Sequence, residues 1–226
     1  MRKLALALVL VPAVAACGGG GAKESAPPTS TAAPSDPGRA AVAELFRAAS
    51  HDDKRALWNL ISTRSQQRLG GYAAFARQGA ATLERSLAPF GSSPPAPFVS
   101  QGLSQQFGVV AIRRGTRVLA FAVRNQHGVT KIELSSPLKF RILGPAPGST
   151  GSVRQVAVDV RSSGVVDDAV VWLDGQAVRP TLAPARGKAT VFVAFAKPLP
   201  KGPHVAVVYA EEGNGAGAEA WSFTSR

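Results

Sequence analysis

The histidines and carboxylates of the chain are the residues whose chemistry could support catalysis. General acid–base catalysis needs two such groups within reach of one substrate. The segment His51–Asp53 sets an imidazole beside two carboxylates, but an apolar helical pattern follows, where an aspartate is expected to cap the helix. His127 precedes Gly128 in a turn, and Glu133 alternates with apolar residues, so it faces either solvent or a pocket. No acid and base occur at a catalytic spacing, and the sequence predicts a protein that is not an enzyme.

The acidic pairs of the C-terminal part are the residues that could bind calcium. Asp167–Asp168 and Glu211–Glu212 show no regular ligand spacing, so we interpret them as solvated loop residues. His204 begins a predicted strand directly after a turn, which is a structural position. The sequence therefore predicts no metal site and no cofactor.

Cys17 is the only cysteine of the sequence, and it ends an N-terminal leader. The leader, MRKLALALVLVPAVAA, joins two basic residues, a short apolar run and two small residues, which is the pattern of a secretory signal peptide. The apolar run is shorter than the roughly 20 residues that span a bilayer. The segment Val14–Cys17 resembles the lipobox of bacterial lipoproteins. That resemblance implies a diacylglycerol on the Cys17 thiol, cleavage before Cys17, and an extracytoplasmic protein anchored to the cell membrane. The alternative is a secreted protein whose Cys17 leaves with the leader.

The segment after Cys17 has the composition of a flexible tether. Residues 18–37 read GGGGAKESAPPTSTAAPSDP and contain no large apolar side chain. Such a segment cannot bury enough apolar surface to offset the entropy of ordering. We predict that residues 17–37 connect the anchor to the folded part of the chain.

The basic surplus of the protein is concentrated in its middle third. The formal net charge is +12, and residues 38–137 hold 13 basic and five acidic side chains. A basic surface attracts anionic lipid and anionic polymers. Since no Lys/Arg run is interleaved with aromatic residues, the sequence argues against nucleic acid as the partner. It favours an envelope protein or an anionic cell-wall polymer, with a solvated basic surface as the simpler alternative.

The chain after the tether reads as helices followed by strands. Asp36 and Pro37 begin the first helical pattern, a second follows residue 53, and a third covers residues 72–87 and is expected to divide near Gly79. Predicted strands then cover 107–112, 118–125 and 129–134. Three helices followed by an antiparallel meander form an α+β pattern.

This order, with the stretch AAVAELFRAASHDDKRALWNLISTRSQQRL, resembles the NTF2-like (cystatin-like) superfamily. The resemblance implies a curved sheet wrapped into a cone around the helices. Some members are enzymes that use a pocket in the cone, and Trp58, Tyr72 and Glu133 are the candidate binding residues here. Packing inside the cone is the simpler explanation for both aromatic residues. Similar domains occur in penicillin-binding proteins, which suggests an accessory role in cell-wall synthesis as another alternative.

Residues 137–226 read as short strands separated by turns, which predicts a β-sandwich. The motif Trp172–Gly175 (WLDG), the later Pro198–Val205 (PLPKGPHV) and the terminal Trp221–Phe223 (WSF) resemble bacterial Ig-like domains. The Asp-Gly step is a hairpin signal.

Together these patterns predict four parts. A lipoprotein signal peptide (1–16) precedes a lipidated Cys17 and tether (17–37). An NTF2-like α+β cone domain (38–136) and an all-β Ig-like sandwich domain (137–226) follow. The predicted function is a non-enzymatic, membrane-anchored envelope lipoprotein that binds or scaffolds a partner protein, a wall polymer or a small ligand. An enzyme with a cone pocket and an accessory factor in cell-wall synthesis stay open as alternatives.

Overall fold

The computed structural model describes residues 36–185, 187–213 and 215–226. The predicted signal peptide, Cys17 and almost all of the predicted tether lie outside these residues. These described residues belong to one compact unit. Within the described part of the chain, no helix is both long and apolar enough to cross a membrane.

The N-terminal half of the described chain begins with short helices whose starts follow local signals. Asp36 accepts a hydrogen bond from the Gly38 amide at 2.9 Å, and Asp53 accepts one from the Ala56 amide at 2.9 Å, so both predicted caps are confirmed. The helices are α1 (Pro37–Ser50), α2 (Lys54–Leu60), α3 (Thr63–Arg68), α4 (Tyr72–Ala74), a π-helical turn (Phe75–Gly79), α5 (Ala80–Leu87) and a 3-10 turn (Ala88–Phe90).

The sequence led us to expect that the third helical stretch divides near Gly79. In the structure the helix continues without a break, as a π turn up to Gly79 and as α5 from Ala80. A Cβ at Gly79 would lie 2.7 Å from Cδ2 of Phe75, so only glycine leaves room for that ring against the helix. The glycine therefore serves close packing, and it is not a helix end.

A four-stranded antiparallel sheet follows the helices, in the order β1-β2-β3-β4. Its strands are β1 (Pro97–Gly102), β2 (Phe107–Arg114), β3 (Arg117–Gln126) and β4 (Val129–Ile132). Val110 and Phe121 face the helices and share a core with them, whereas Val109 and Ala122 belong to a core on the opposite face. The predicted order of helices followed by a meander is confirmed, and both faces of the sheet are covered.

The C-terminal half is a β-sandwich. Its strands are β5 (Lys139–Gly144), β6 (Thr150–Gly151), β7 (Gln155–Arg161), β8 (Asp168–Leu173), β9 (Gln176–Val178), β10 (Thr181–Ala185), β11 (Lys188–Ala194), β12 (Gly202–Glu212) and β13 (Gly215–Ser225). They form two sheets, ordered β10-β11-β7-β5 and β6-β13-β12-β8-β9. In chain order this is the ABED and CFG arrangement of immunoglobulin-like sandwiches, with β9 as an added C′ strand.

The two halves share a hydrophobic core. Trp172, Val207 and Tyr209 project from the second sandwich sheet and pack with Phe107 and Val109 of the N-terminal sheet. Trp172 is 2% exposed and Tyr209 is fully buried. Strand β12 therefore buries residues on both faces, one set in the sandwich and the other against the N-terminal sheet. This shared core fixes β3 beside β13.

Candidate functional site

A cleft of about 680 Å³ lies where the helices, strand β3 and strand β13 meet. Its helical wall includes Phe75 and Leu83, its second wall is Leu119–Ala122 of β3, and its third is Gly217–Glu219 of β13, with Phe140 of β5 beside them. The volume lies within the range of roughly 300–1,000 Å³ that is usual for small-molecule sites. Most of the lining is apolar, so the cleft suits an apolar ligand.

The cleft exists because two strands lack a neighbour on the side that faces it. In the described chain, β4 pairs with β3 only from Val123 onward, and β6 pairs with β13 only at Thr224 and Ser225. The Leu119–Phe121 and Gly217–Glu219 segments are therefore open strand edges. Ser136, which precedes β5, and Phe140 of β5 pack closely on Gly217, where a Cβ would lie 2.7 Å from the Ser136 Oγ and 2.8 Å from the Phe140 ring.

Glu133 lines the cleft, but its carboxylate is committed to the structure. The side chain is fully buried and forms an ion pair with Arg124, whose side chain is 11% exposed. Ser65 donates a hydrogen bond to the second carboxylate oxygen at 3.0 Å. Because a buried carboxylate needs both a counter-charge and hydrogen bonds, these contacts account for Glu133 as a structural residue.

Glu219 is the second carboxyl group of the cleft, and its surroundings differ. Burial raises the pKa of Glu219, and the Ala220 amide opposes that rise by hydrogen bonding. Its cross-strand neighbour on β12 is Val208. No cationic side chain in the described residues forms an ion pair with Glu219. This half-buried carboxyl group is therefore the one ionisable group of the described cleft lining that has no ion pair.

The structure brings only one of the three predicted binding residues to the cleft. Glu133 lines it, whereas Trp58 and Tyr72 pack together 6.0 Å apart, with the Trp58 ring 5.4 Å from Phe75. The Arg55 guanidinium lies 4.1 Å from the Tyr72 ring. Sequence reasoning missed Glu219. Its signal was a single charged residue in the Gly/Ala-rich strand GAGAEAWSF, but its neighbours come from distant parts of the chain.

The histidines of the N-terminal half lie outside the cleft. The Nδ1 of His51 is 2.8 Å from the Arg47 carbonyl oxygen at the end of α1, and His127 is an exposed turn residue with a φ of 53°. In the part of the chain that the structure describes, no group of three or more His, Cys, Asp or Glu side chains could hold a metal ion.

His204, which is buried, pairs with the exposed Asp174, and this pair joins the two sandwich motifs of the sequence. Asp174 opens the β8–β9 turn with a φ of 52°, and its Oδ2 lies 2.7 Å from Nδ1 of His204. The Nε2 of His204 is 2.8 Å from the Pro200 carbonyl oxygen. Burial lowers the pKa of His204, but hydrogen bonds to Pro200 and Asp174 outweigh it, so the pKa is raised above its ordinary value. Two acceptors facing the two ring nitrogens favour the imidazolium.

Because the pKa of His204 is raised, we expect the free energy of unfolding to fall as the pH rises through that pKa. The contribution of the pair is fully present below the unfolded-state pKa of about 6.5 and is lost as the pH rises through the folded-state pKa. We expect urea unfolding of the wild type to show this loss and His204→Gln to show a flatter pH profile over the same interval. If the unfolding of His204→Gln depended on pH as strongly as that of the wild type, this would contradict the assignment of His204 as an imidazolium paired with Asp174.

The solved structures described below resemble this chain over about two fifths of its length. No protein-family model and no curated protein matches this sequence. Among solved structures, the methionine-rich copper resistance protein PcoC from Escherichia coli is 16% identical, with a TM-score of 0.30, over 40% of this chain and 98% of PcoC. The Ig domain in the complex of titin M10 with obscurin-like 1 is 18% identical, with a TM-score of 0.27, over 39% of this chain and 95% of that one. An endo-beta-1,4-mannanase from Thermotoga petrophila is 11% identical, with a TM-score of 0.31, over 39% of this chain and 20% of the mannanase. At these values no property of those proteins is carried over to this chain.

Proposed function

We propose that the protein is an extracytoplasmic, lipid-anchored binding protein whose cleft receives a small, largely apolar ligand. The observation that carries the proposal is the cleft of about 680 Å³ with apolar walls from the helices, β3 and β5. Residues such as Phe75, Leu83 and Phe121 would contact the ligand. Burial of apolar surface would provide most of the affinity.

The cleft supports binding better than catalysis. Catalysis by acid and base needs two groups with free protonation sites. Glu133 is held by Arg124 and Ser65, which leaves Glu219 without an acid–base partner in the cleft. We therefore favour a protein that is not an enzyme over the alternative that uses a cone pocket.

The NTF2-like, Ig-like and lipoprotein assignments made from the sequence fit the same proposed function. The arrangement of helices against one face of an antiparallel meander is consistent with an NTF2-like cone, and the sandwich would then be an Ig-like scaffold that supplies β13 to the cleft. The leader and Cys17 would hold the protein at the outer face of the cell membrane. The predicted ranges 38–136 and 137–226 are then two cooperating domains.

The test is photo-labelling of the mature full-length protein in lipid nanodiscs with a decanol analogue that carries a diazirine. Mass spectrometry should locate the label on peptides that contain Leu119–Ala122 or Gly217–Glu219. Ser86→Trp fills the cleft from the exposed side of α5, and we expect it to lower this labelling at least about tenfold.

Ser50→Trp is the matched control, because both serines donate to a backbone carbonyl of the preceding helical turn and Ser50 lies outside the cleft. Equal labelling in Ser86→Trp and Ser50→Trp, or no labelling of these peptides in the wild type, would contradict the proposal. The same spectra test the anchor: the N-terminal peptide is expected to begin at Cys17 and to carry the mass of a diacylglycerol.

A further inference from the structure

The charge of the cleft is opposite to the charge of the protein. The sequence carries a formal net charge of +12. The described residues that line the cleft nevertheless include no lysine, arginine or histidine, and their only ionisable side chains are Glu133 and Glu219. The basic surplus therefore lies elsewhere, and the cleft itself is acidic.

Arg124 neutralises one of these two carboxylates from behind the cleft wall. It forms an ion pair with Glu133 and lies over the Phe107 ring, with its guanidinium carbon 4.3 Å from the ring centroid. These contacts direct the guanidinium into the protein, and Arg124 is absent from the residues described as lining the cleft. The net charge that a ligand meets is accordingly that of Glu219.

Glu219 is placed where a ligand's polar end would lie. It lies on β13 beside the apolar Ala218, opposite Val208 of β12, and lines the cleft together with Leu119–Ala122 of β3. A carboxylate that is partly removed from water without a counter-ion is unfavourable, and a cation at this position would offset that cost.

We propose that the ligand is an amphiphile whose polar end is a cation, a protonated amine or a quaternary ammonium, held by Glu219 while its apolar part occupies the cleft. This inference rests on the proposed function. An anionic end would meet the Glu219 carboxylate and no cation in the described lining, so the anionic partner suggested by the overall charge does not fit the cleft. A quaternary ammonium would be held by charge alone, whereas a primary amine would also donate hydrogen bonds.

The experiment compares three diazirine probes with the same ten-carbon chain: an amine, an alcohol and a carboxylic acid. Each labels the mature full-length protein in nanodiscs at neutral pH, and Ser86→Trp supplies the background that comes from the membrane. We expect the amine to label the cleft peptides at least about tenfold more than the acid, with the alcohol between them. In Glu219→Gln the ratio of amine to alcohol labelling should fall to about one.

The outcomes distinguish the proposal of a cationic ligand from the proposal that the cleft binds a ligand at all. Equal labelling by amine and alcohol in the wild type, or an amine preference that persists in Glu219→Gln, overturns the cationic ligand and leaves the binding cleft intact. Failure of all three probes to label the cleft above the Ser86→Trp background overturns the proposed function itself. Thermal unfolding of Glu219→Gln close to that of the wild type shows that the change in ratio does not come from misfolding.

Discussion

Replacing Glu133 with leucine is expected to lower the free energy of unfolding by about 3–5 kcal/mol. The substitution keeps most of the side-chain volume but leaves the Arg124 guanidinium, 11% exposed, without its carboxylate. It also removes one acceptor of the Ser65 hydroxyl. The Ser65 hydroxyl keeps the Ser135 carbonyl as an acceptor at 3.3 Å, so the main loss is the carboxylate that balances the largely buried charge of Arg124. Urea unfolding at neutral pH measures the loss.

Glu44→Leu is the control for this prediction. Glu44 pairs with Arg47 on the exposed face of α1, where water screens the interaction, so the loss should be much smaller. Similar losses in Glu133→Leu and Glu44→Leu would contradict the structural role that we assign to Glu133. They would also reopen the alternative in which Glu133 acts on a ligand.

Replacing Trp172 with alanine is expected to lower the free energy of unfolding by about 3–5 kcal/mol and to affect both halves of the chain. Trp172 is 2% exposed and belongs to the core that joins the sandwich to the N-terminal sheet. Removing the indole leaves a cavity against Phe107 and Val207, which neighbouring strands cannot fill without moving. Native-state hydrogen exchange can follow the two halves separately.

We expect amides of β2, in the N-terminal sheet, to exchange faster in Trp172→Ala together with amides of β12. Val193→Ala provides a comparison, because Val193 belongs to the core between the two sandwich sheets. Its effect on β2 amides should be smaller than that of Trp172→Ala. Unchanged protection of β2 in Trp172→Ala would mean that the halves unfold independently and that the shared core does not stabilise the cleft.

Features set by neighbouring residues were predictable from the sequence. Asp36 and Asp53 cap helices because a short side-chain acceptor directly precedes each helical pattern. Asp174 and Gly175 both have positive φ in the β8–β9 turn, as the Asp-Gly step predicts. The β-sandwich itself was predictable, because short strands separated by regular turn signals favour it.

Features set by contacts between distant residues were not predictable. Strand β12 reads HVAVVYA, an apolar run whose periodicity does not reveal that Tyr209 and Val208 enter two different cores. The alternation around Glu133 left its direction open, and Arg124 on the adjacent strand decided it. Glu219 gains its role only because the shared core sets β13 beside β3. No spacing in the sequence encodes that placement.

The central claim is that the cleft is a ligand site, and the most direct test is a crystal structure of the protein with decylamine. We predict density for an alkyl chain between Phe75 and Phe121, with the ammonium nitrogen about 3 Å from a carboxylate oxygen of Glu219. Decylamine bound elsewhere, with water or rearranged side chains filling the cleft, would contradict the account.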